Sequence, residues 1–328
     1  MERHILVTGG CGFLGSHFIN KHFILNPESF IVNLDALYHT HTKEENINLF
    51  VSQSSRYIFI EGNCCDFDLV LHILKTYEID IIVHFAAQSH VQNYLTDTGK
   101  YVKDNIVGTQ TLLEATRKYG QLEKFIHVST DEVSGDFLMS PYDLDNKTEQ
   151  SVYCATNPYA ASKASAELLV SSYFHTFKLP IIITRGNSVY GPKQNPQKMI
   201  PKFIKALQEG EKINIHGDGS RVRGFLHVYD ATTAIDLILD KGIIGEIYNI
   251  GCESDDECSV LDIAKGLILL MINNNLKTEE EFSQYLEFDE TCHKMKDKRY
   301  FVSNYKLKKL GWKLEIPFID GLLGLIQD

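Results

Sequence analysis

The stretch Thr8-Gly9-Gly10-Cys11-Gly12-Phe13-Leu14-Gly15 decides the fold of this chain. It follows a short β-branched apolar run at residues 5–8 and opens directly into a helical pattern. In a GxxGxxG turn of this kind, the first glycine permits a tight turn and the second lets a pyrophosphate approach the helix N-terminus. The third allows the helix to pack closely on the strand. The stretch therefore predicts a dinucleotide-binding turn at Gly9, Gly12 and Gly15, with a merely tight strand-to-helix turn as the alternative.

Asp35 supports the same interpretation. It follows the second strand-like run, residues 30–34, and lies twenty residues beyond Gly15. A carboxylate at that distance accepts hydrogen bonds from the hydroxyls of an adenosine ribose. It also repels the additional phosphate of NADP, and no arginine follows nearby to bind that phosphate. The pattern favours NAD as the cofactor.

Strand and helix patterns alternate through the first half of the chain. Apolar β-branched runs predict strands at residues 5–8, 30–34, 57–60, 79–85, 124–129 and 180–184. Helical spacing predicts helices at residues 13–25, 66–77, 102–119 and 159–177. Parallel strands need crossover connections, so this alternation predicts an α/β fold with a doubly wound, Rossmann-like parallel sheet.

The rhythm of the pattern changes after Arg185. Tyr190-Gly191-Pro192 marks a loop, and the later strand and helix signals are shorter and less regular. We therefore expect an NAD-binding domain over residues 1–185 and a smaller C-terminal nucleotide-sugar-binding lobe over residues 186–328.

Two later segments qualify this division. The segment from about 223 to 250 contains strand-like residues at 225–228 and 247–250, which can return to the main sheet. The polar stretch at residues 273–281 predicts a solvated surface loop.

Composition excludes several classes of protein. The 328 residues are 44% hydrophobic and 23% charged, as in a globular protein and unlike a disordered or collagen-like one. A formal charge of −11 argues against nucleic-acid binding and against an anionic-membrane surface. The longest apolar stretches are far shorter than the roughly 18 residues of a membrane-spanning helix.

The seven cysteines indicate a reducing compartment, because they are odd in number and include no CxxC pair. No secretory pattern precedes the first strand at residue 4, so the sequence predicts a cytoplasmic protein. No metal site is expected.

Two further motifs bring acid and base groups to the same predicted sheet edge. Tyr159 and Lys163 lie on one face of a predicted helix, where the ammonium favours the phenolate. The fifth strand ends in Thr130, Asp131 and Glu132, at the edge where ligands of such sheets bind. Each motif alone is also compatible with solvated surface side chains. Together they predict paired acid and base catalysis.

The order of the motifs resembles the extended short-chain dehydrogenase/reductase family, and within it the dTDP-glucose 4,6-dehydratases. The likeness covers nearly the whole chain, with GGCGFLG (9–15), HFAAQSHV (84–91), NIVGT (105–109), STDEV (129–133), NPYAASKA (157–164), VYGPKQNPQKMIPKFI (189–204), Arg223 and YNIG (248–251) in the family's order. The acid pair within STDEV is the most specific element. Related sugar-nucleotide epimerases and decarboxylases share the glycines and YxxxK but do not normally carry it.

The resemblance implies an internal oxidation and reduction of dTDP-glucose or UDP-glucose, with NAD regenerated. Tyr159, its pKa lowered by Lys163, would take the proton of the sugar 4-hydroxyl, and Thr130 would hydrogen-bond the ketone oxygen. Glu132 would remove the carbon 5 proton while Asp131 protonates the departing 6-hydroxyl. The product would be a 4-keto-6-deoxy sugar nucleotide.

The resemblance also implies the residues around these groups. The implied cofactor contacts are Gly9, Gly12, Phe13, Leu14, Gly15, Asp35, Asn63, Cys64, Phe85, Ala86, Ala87, Tyr159 and Lys163. The implied substrate contacts are Ser89, Thr130, Asn187, Ser188, Lys198, Met199, Arg223, Asn249 and His293. Many relatives are homodimers that pair the helices at residues 102–119 and 159–177. Burial within one chain explains the apolar residues of those helices equally well.

Several pocket positions depart from the family's pattern. Asn63 replaces an aspartate on the adenine side, and Cys292-His293-Lys294 replaces a segment whose arginine would contact the diphosphate. None of these positions is one of the five proposed catalytic residues. Two alternatives therefore stay open: an NAD-dependent nucleotide-sugar 4-epimerase or reductase, which needs no acid pair, and a non-catalytic NAD-binding scaffold.

Overall fold

A seven-stranded parallel sheet forms the centre of the molecule. The computed structural model describes residues 3–38, 43–89, 97–135, 147–186, 188–253, 256–272, 275–289 and 299–327. The strands of the sheet are β1 (Arg3–Thr8), β2 (Ser29–Asp35), β3 (Tyr57–Glu61), β4 (Ile81–His84), β5 (Lys124–Thr130), β6 (Ile181–Gly186) and β10 (Ile247–Ile250). Their spatial order is β3-β2-β1-β4-β5-β6-β10, and every neighbouring pair is parallel. The predicted fold class is confirmed.

Helices cover both faces of this sheet. They are α1 (Phe13–Leu25), α2 (Leu49–Ser52), α3 (Phe67–Thr76), α4 (Thr98–Tyr101), α5 (Gly108–Tyr119), α6 (Pro158–Phe177) and α8 (Val228–Lys241). Helices α1 and α8 pack together on one face, and α3, α5 and α6 pack on the other. Successive side chains of a strand contribute to the two cores in turn, because Ile5 and Val7 point to the α1 side while Leu6 points to the opposite side. Helix α4 continues through a wide π-helical turn, Val102–Val107, into α5.

A smaller lobe carries the remaining elements. Its strands are β7 (Ser188–Tyr190), β8 (Ile213–His216), β9 (Val222–His227), β11 (Glu257–Ser259), β12 (Leu286–Asp289) and β13 (Arg299–Tyr300). Its helices are α7 (Met199–Gln208), α9 (Val260–Met271), α10 (Glu279–Ser283), α11 (Tyr305–Lys309) and α12 (Phe318–Gln327). Strand β9 pairs with β7, β11 and β13, and β8 pairs with β12. Among these helices, α7, α9 and α12 enclose a separate apolar core around Phe203 and Leu267.

The two strand-like stretches between residues 223 and 250 belong to different sheets. Strand β10 joins the main sheet beside β6, whereas β9 lies in the smaller sheet. Helix α8, between them, packs against α1. The chain therefore returns to the first lobe after β9, and the division at residue 185 stays a prediction. Within the described ranges, no helix combines the length and the apolar character that a bilayer crossing requires.

Candidate active site

The glycine turn between β1 and α1 has the close packing that its sequence predicts. Gly9 adopts a φ of +71°, and a Cβ at this position would lie 2.7 Å from the backbone of Ala86, just beyond β4. A Cβ on Gly15 would collide with the carbonyl oxygen of Gly9. Gly12 is the N-cap of α1, and no side chain caps the helix. The N–H groups of the first turn therefore face the neighbouring cleft and can bind an anion.

Asp35 holds this turn from the end of β2. Its Oδ2 accepts a hydrogen bond from the Cys11 N–H at 2.9 Å, and its Oδ1 accepts one from the Leu37 N–H at 2.9 Å. A carboxylate has about four acceptor positions, so this anchoring is compatible with additional hydrogen bonds to a ribose. Nearby, the Asn63 amide donates to the Tyr38 hydroxyl at 2.6 Å, and the Cys64 side chain is buried.

A cleft of about 820 Å³ runs along the carboxyl ends of the strands. It passes the point where the strand order reverses between β1 and β4, which is where ligands bind in such sheets. Most of the residues predicted from the sequence line it together: Gly9, Gly12, Phe13, Leu14, Gly15, Asp35, Asn63, Cys64, Phe85, Ala86, Ala87, Ser89, Thr130, Asp131, Glu132, Tyr159, Lys163, Ser188, Lys198, Met199 and Arg223. One continuous cavity therefore connects the glycine turn to the acid pair.

Three predicted substrate contacts are not among these lining residues. Asn249 is fully buried in β10, where its backbone N–H donates to Glu149 Oε1 at 3.1 Å and its side-chain amide donates to the Lys147 carbonyl. It therefore anchors residues 147–149 and does not face the cleft. Asn187 and His293 lie outside the described residues.

The acid pair lies where β5 passes into a 3-10 turn, Asp131–Ser134. The Thr130 hydroxyl donates to Asp131 Oδ1 at 3.2 Å and accepts a hydrogen bond from the Glu132 N–H at 3.3 Å. Asp131 is only 6% exposed. Burial, and then the charge of Glu132, raise the pKa of Asp131 to about 7, although Arg223 acts in the opposite direction. Asp131 can therefore carry a proton near neutral pH.

Tyr159 and Lys163 enter the same cleft from the first turns of α6. The Lys163 ammonium is almost completely buried and donates to the Val128 carbonyl of β5 at 2.7 Å. Burial lowers its pKa to about 8, and Glu167 opposes this shift. Burial and the charge of Glu132 raise the pKa of Tyr159 above its usual value, while a hydrogen bond with Thr130 lowers it.

The predicted lowering of the Tyr159 pKa by Lys163 is therefore wrong for this arrangement. The net shift is upward, because desolvation and a neighbouring carboxylate outweigh the favourable contact with Thr130.

Sequence reasoning missed two groups of polar residues around the site. Asn157, just before α6, donates from its side-chain amide to Glu132 Oε2 at 2.8 Å. In the wide turn before α5, Asn105 donates to the Ser162 hydroxyl at 2.8 Å and accepts from the Gln88 N–H at 2.7 Å. An asparagine directly before a proline is a helix N-cap signal, so the position of Asn157 was open to prediction while its contact with Glu132 was not.

Comparison with known proteins places the chain in a family. Residues 5–251 match the model of the NAD dependent epimerase/dehydratase family. The chain belongs to this family. The chain is also similar to the human dTDP-D-glucose 4,6-dehydratase, with 40% identity over 99% of this chain and 89% of that protein. The predicted dehydratase resemblance is confirmed.

Two further relatives bear on substrate and fold. The chain is also 42% identical, over 98% of its length, to a trifunctional enzyme from Arabidopsis thaliana. That enzyme is named UDP-glucose 4,6-dehydratase/UDP-4-keto-6-deoxy-D-glucose 3,5-epimerase/UDP-4-keto-L-rhamnose-reductase. The chain spans about half of that protein's length, 46%. The crystal structure of dTDP-glucose 4,6-dehydratase from Bacillus anthracis in complex with NAD is 34% identical, with a TM-score of 0.85 covering 99% of this chain and 96% of the other.

Proposed function

We propose that the chain is an NAD-dependent nucleotide-sugar 4,6-dehydratase that converts dTDP-glucose or UDP-glucose to the 4-keto-6-deoxy sugar nucleotide. One observation carries the proposal: the acid pair Asp131 and Glu132 shares a single cleft with Tyr159 and Lys163. An epimerase or reductase needs the tyrosine and the lysine but not the carboxylates. The dehydratase names of the relatives support the same conclusion.

The residues of the glycine turn fit NAD. The uncapped first turn of α1 suits a pyrophosphate, and Gly9 is required because a Cβ there would clash with the backbone of Ala86. Asp35 suits a ribose without an added phosphate, and Asn63 and Cys64, which line the same cleft, are the proposed contacts on the adenine side. When bound, NAD supplies the oxidation at carbon 4 of the sugar and later the reduction at carbon 6.

Tyr159 takes the proton of the sugar 4-hydroxyl in the proposed first step. Thr130, whose hydroxyl donates to Asp131 in the absence of substrate, lies beside Tyr159 and is the proposed donor to the resulting ketone oxygen. Because the pKa of Tyr159 is raised, its ionisation depends on positive charge in the cleft, and Lys163 is the cation that α6 contributes.

Glu132 and Asp131 then carry out the proposed elimination. Glu132 removes the carbon 5 proton, and the electron pair of that C–H bond forms a double bond between carbons 5 and 6. The bond from carbon 6 to its hydroxyl oxygen breaks, and Asp131 gives its proton to this oxygen, which leaves as water. A neighbouring acid and base with separated pKa values are what this step requires. As carbon 6 is reduced, the now protonated Glu132 returns a proton to carbon 5, which completes the 4-keto-6-deoxy product.

Two cations that line the cleft near the acid pair are the proposed contacts of the sugar diphosphate. Lys198 Nζ donates to the Ser89 carbonyl at 3.4 Å, and burial lowers the pKa of Lys198. Arg223, on β9, lies close enough to Asp131 to lower its pKa. Ser188 and Met199 also line the cleft.

The proposal includes a cytoplasmic homodimer. Six described cysteines are unpaired, as expected of a reducing compartment. On the helical pair proposed for the dimer contact, Val102 is 52% exposed and Leu168 is 55% exposed. Leu112, Leu113 and Val170, by contrast, are buried within the chain and take no part in such a contact.

Two substitutions separate the steps of the proposed reaction. We expect Glu132→Gln to form reduced nicotinamide with dTDP-glucose or UDP-glucose but not to lose water, because only the elimination needs this base. Tyr159→Phe should form no reduced nicotinamide, because it cannot accept the first proton. Absorbance of the nicotinamide and NMR of the sugar follow the two steps. Unchanged loss of water in Glu132→Gln would remove Glu132 from its role as the base. A wild-type product formed without loss of water would favour the epimerase or reductase, and NAD binding without turnover by the wild type would favour the scaffold.

A further inference from the structure

The side chain of Asn157 makes two hydrogen bonds, one as acceptor and one as donor. Its Oδ1 accepts the N–H of Ala160 at 2.8 Å and so caps α6. Its Nδ2 donates to Glu132 Oε2 at 2.8 Å. These partners also fix the orientation of the amide. A flipped side chain would place its oxygen against a carboxylate and its NH₂ against a backbone N–H, and both contacts would be repulsive.

The backbone around Asn157 holds this amide in place. Asn157 has the extended conformation of an N-cap, with φ −139° and ψ 162°, and Pro158 follows at the start of the helix. The N-cap hydrogen bond and the fixed φ of proline restrict rotation of the side chain. The amide also lines the cleft beside Glu132. Asn157 therefore connects the helix that carries Tyr159 with the turn that carries Glu132.

We propose that Asn157 is a positioning residue that holds the Glu132 carboxylate, ionised and correctly oriented, for removal of the carbon 5 proton. The proposal rests on the proposed function of Glu132 as the base. A charge-assisted hydrogen bond from a neutral amide favours the ionised carboxylate and restricts its rotation. Asn157 exchanges no proton with the substrate and acts only through Glu132.

The proposal predicts a defect confined to one step. Oxidation at carbon 4 needs Tyr159 and Thr130 but not Glu132. In the elimination, Glu132 receives the carbon 5 proton, the electron pair forms the new double bond, and the 6-hydroxyl leaves as water with the proton from Asp131. A misplaced Glu132 therefore leaves the oxidation intact and slows the loss of water.

Two variants remove the amide donor while keeping a helix cap. Serine and aspartate both cap helices as well as asparagine does. Asn157→Ser removes the donor, because the serine side chain is too short to reach Glu132, and it adds no charge. We expect the elimination to slow about 10- to 100-fold, as is typical when a hydrogen bond to a charged group is lost. Asn157→Asp adds a carboxylate that repels Glu132, so its elimination should be slower still.

The measurement separates the two steps in the NAD-loaded protein with dTDP-glucose and with UDP-glucose. In Asn157→Ser reduced nicotinamide should accumulate at close to the wild-type rate, and in both variants 4-keto-6-deoxy product and solvent deuterium at carbon 5 should appear late. The thermal melting midpoint should stay near the wild-type value. Thr278→Ala is the matched control, because it removes the N-cap of α10 outside the cleft. It should lower the melting midpoint without changing the balance between the steps.

Three outcomes would overturn the positioning role. Wild-type elimination rates in both variants would leave Asn157 with its cap alone. Slower oxidation together with a lower melting midpoint would assign it a structural role in α6. A wild-type protein that forms neither reduced nicotinamide nor product would overturn the proposed function, and this role with it, whereas the first two results overturn the role alone.

Discussion

Asp131 shows how burial and a neighbouring carboxylate prepare a carboxyl group as a proton donor. It is 6% exposed, and its Oδ2 has no hydrogen-bond partner among the described residues. Desolvation disfavours the charged form, and the adjacent Glu132 adds repulsion. The neighbouring Glu132, by contrast, is partly exposed and accepts a hydrogen bond from Asn157. Two adjacent acids thus differ in environment, which is the condition for opposite roles.

The raised pKa of Asp131 predicts a pH-dependent stability. The pKa of Asp131 is about 7 in the folded chain against an ordinary aspartate value of 3.8, so between these pH values the folded state binds the additional proton. The free energy of unfolding contributed by this group therefore falls as the pH rises from about 4 to about 7. We expect Asp131→Asn to melt at a higher temperature than the wild type at about pH 8, with a smaller difference at about pH 5. Thermal denaturation at both pH values measures this, and an equal difference at the two would contradict it.

At the residue scale, the sequence predicted which side chains form the site better than it predicted their pKa values. Tyr159, Lys163 and the acid pair could be chosen because their spacing relative to predicted elements brings them to one sheet edge. The direction of the Tyr159 pKa shift could not, because it depends on how deeply the phenol is buried and on a carboxylate 27 positions away in sequence. Asn249 was misplaced for a related reason, since its side chain is fully buried and donates to the carbonyl of the distant Lys147.

Among the elements, the ends of α5 and α6 offer a direct test of backbone strain. Both helices are followed by a residue in the left-handed region, Gly120 with φ +75° after α5 and Lys178 with φ +61° after α6. A side chain in this region costs about 1–2 kcal/mol, whereas glycine adopts it freely. A Cβ at Gly120 would meet no atom within 4 Å, so any effect there reflects the backbone alone.

We therefore expect opposite effects from two exchanges at these ends. Lys178→Gly should raise the free energy of unfolding by about 0.5–1 kcal/mol, because relief of strain exceeds the added entropy of the unfolded chain. Gly120→Ala should lower it by about 1 kcal/mol for the converse reason. Urea denaturation of the two variants measures both. A decrease in Lys178→Gly would show that the lysine side chain makes a contact worth more than the strain.

Elements with strong local patterns could be predicted, and those that depend on distant partners could not. The six predicted strands of the main sheet all occur, because buried parallel strands are continuous apolar runs. The strand-like stretch at 225–228 gave no sign that β9 pairs in the smaller sheet, since pairing depends on β7, β11 and β13. The predicted loop at 273–281 contains the start of α10, whose capping box between Thr278 and Glu281 was a readable signal.

At the scale of the whole molecule, the cleft is lined by residues of both lobes. The first lobe supplies the glycine turn, Asp35 and the ends of β4 and β5, and the smaller lobe supplies Lys198 and Arg223. The return of the chain through α8 and β10 ties the lobes together, because α8 packs on α1 and β10 extends the main sheet. A ligand that spans the cleft is therefore held by both lobes of one folded unit.

Such a ligand should stabilise the entire chain, and its phosphate pattern should matter. We expect NAD to raise the thermal melting midpoint and NADP to raise it much less, because the Asp35 carboxylate repels an added phosphate. Binding at a hundred times the dissociation constant stabilises the folded state by about 2.7 kcal/mol. Asp35→Asn removes the charge at constant shape and should bring the two shifts closer together. Glu61→Gln is the matched control, because Glu61 is an exposed carboxylate at the paired position of β3 and does not line the cleft. Equal shifts with NAD and NADP in the wild type would show that Asp35 serves only as the anchor of the Cys11 and Leu37 amides.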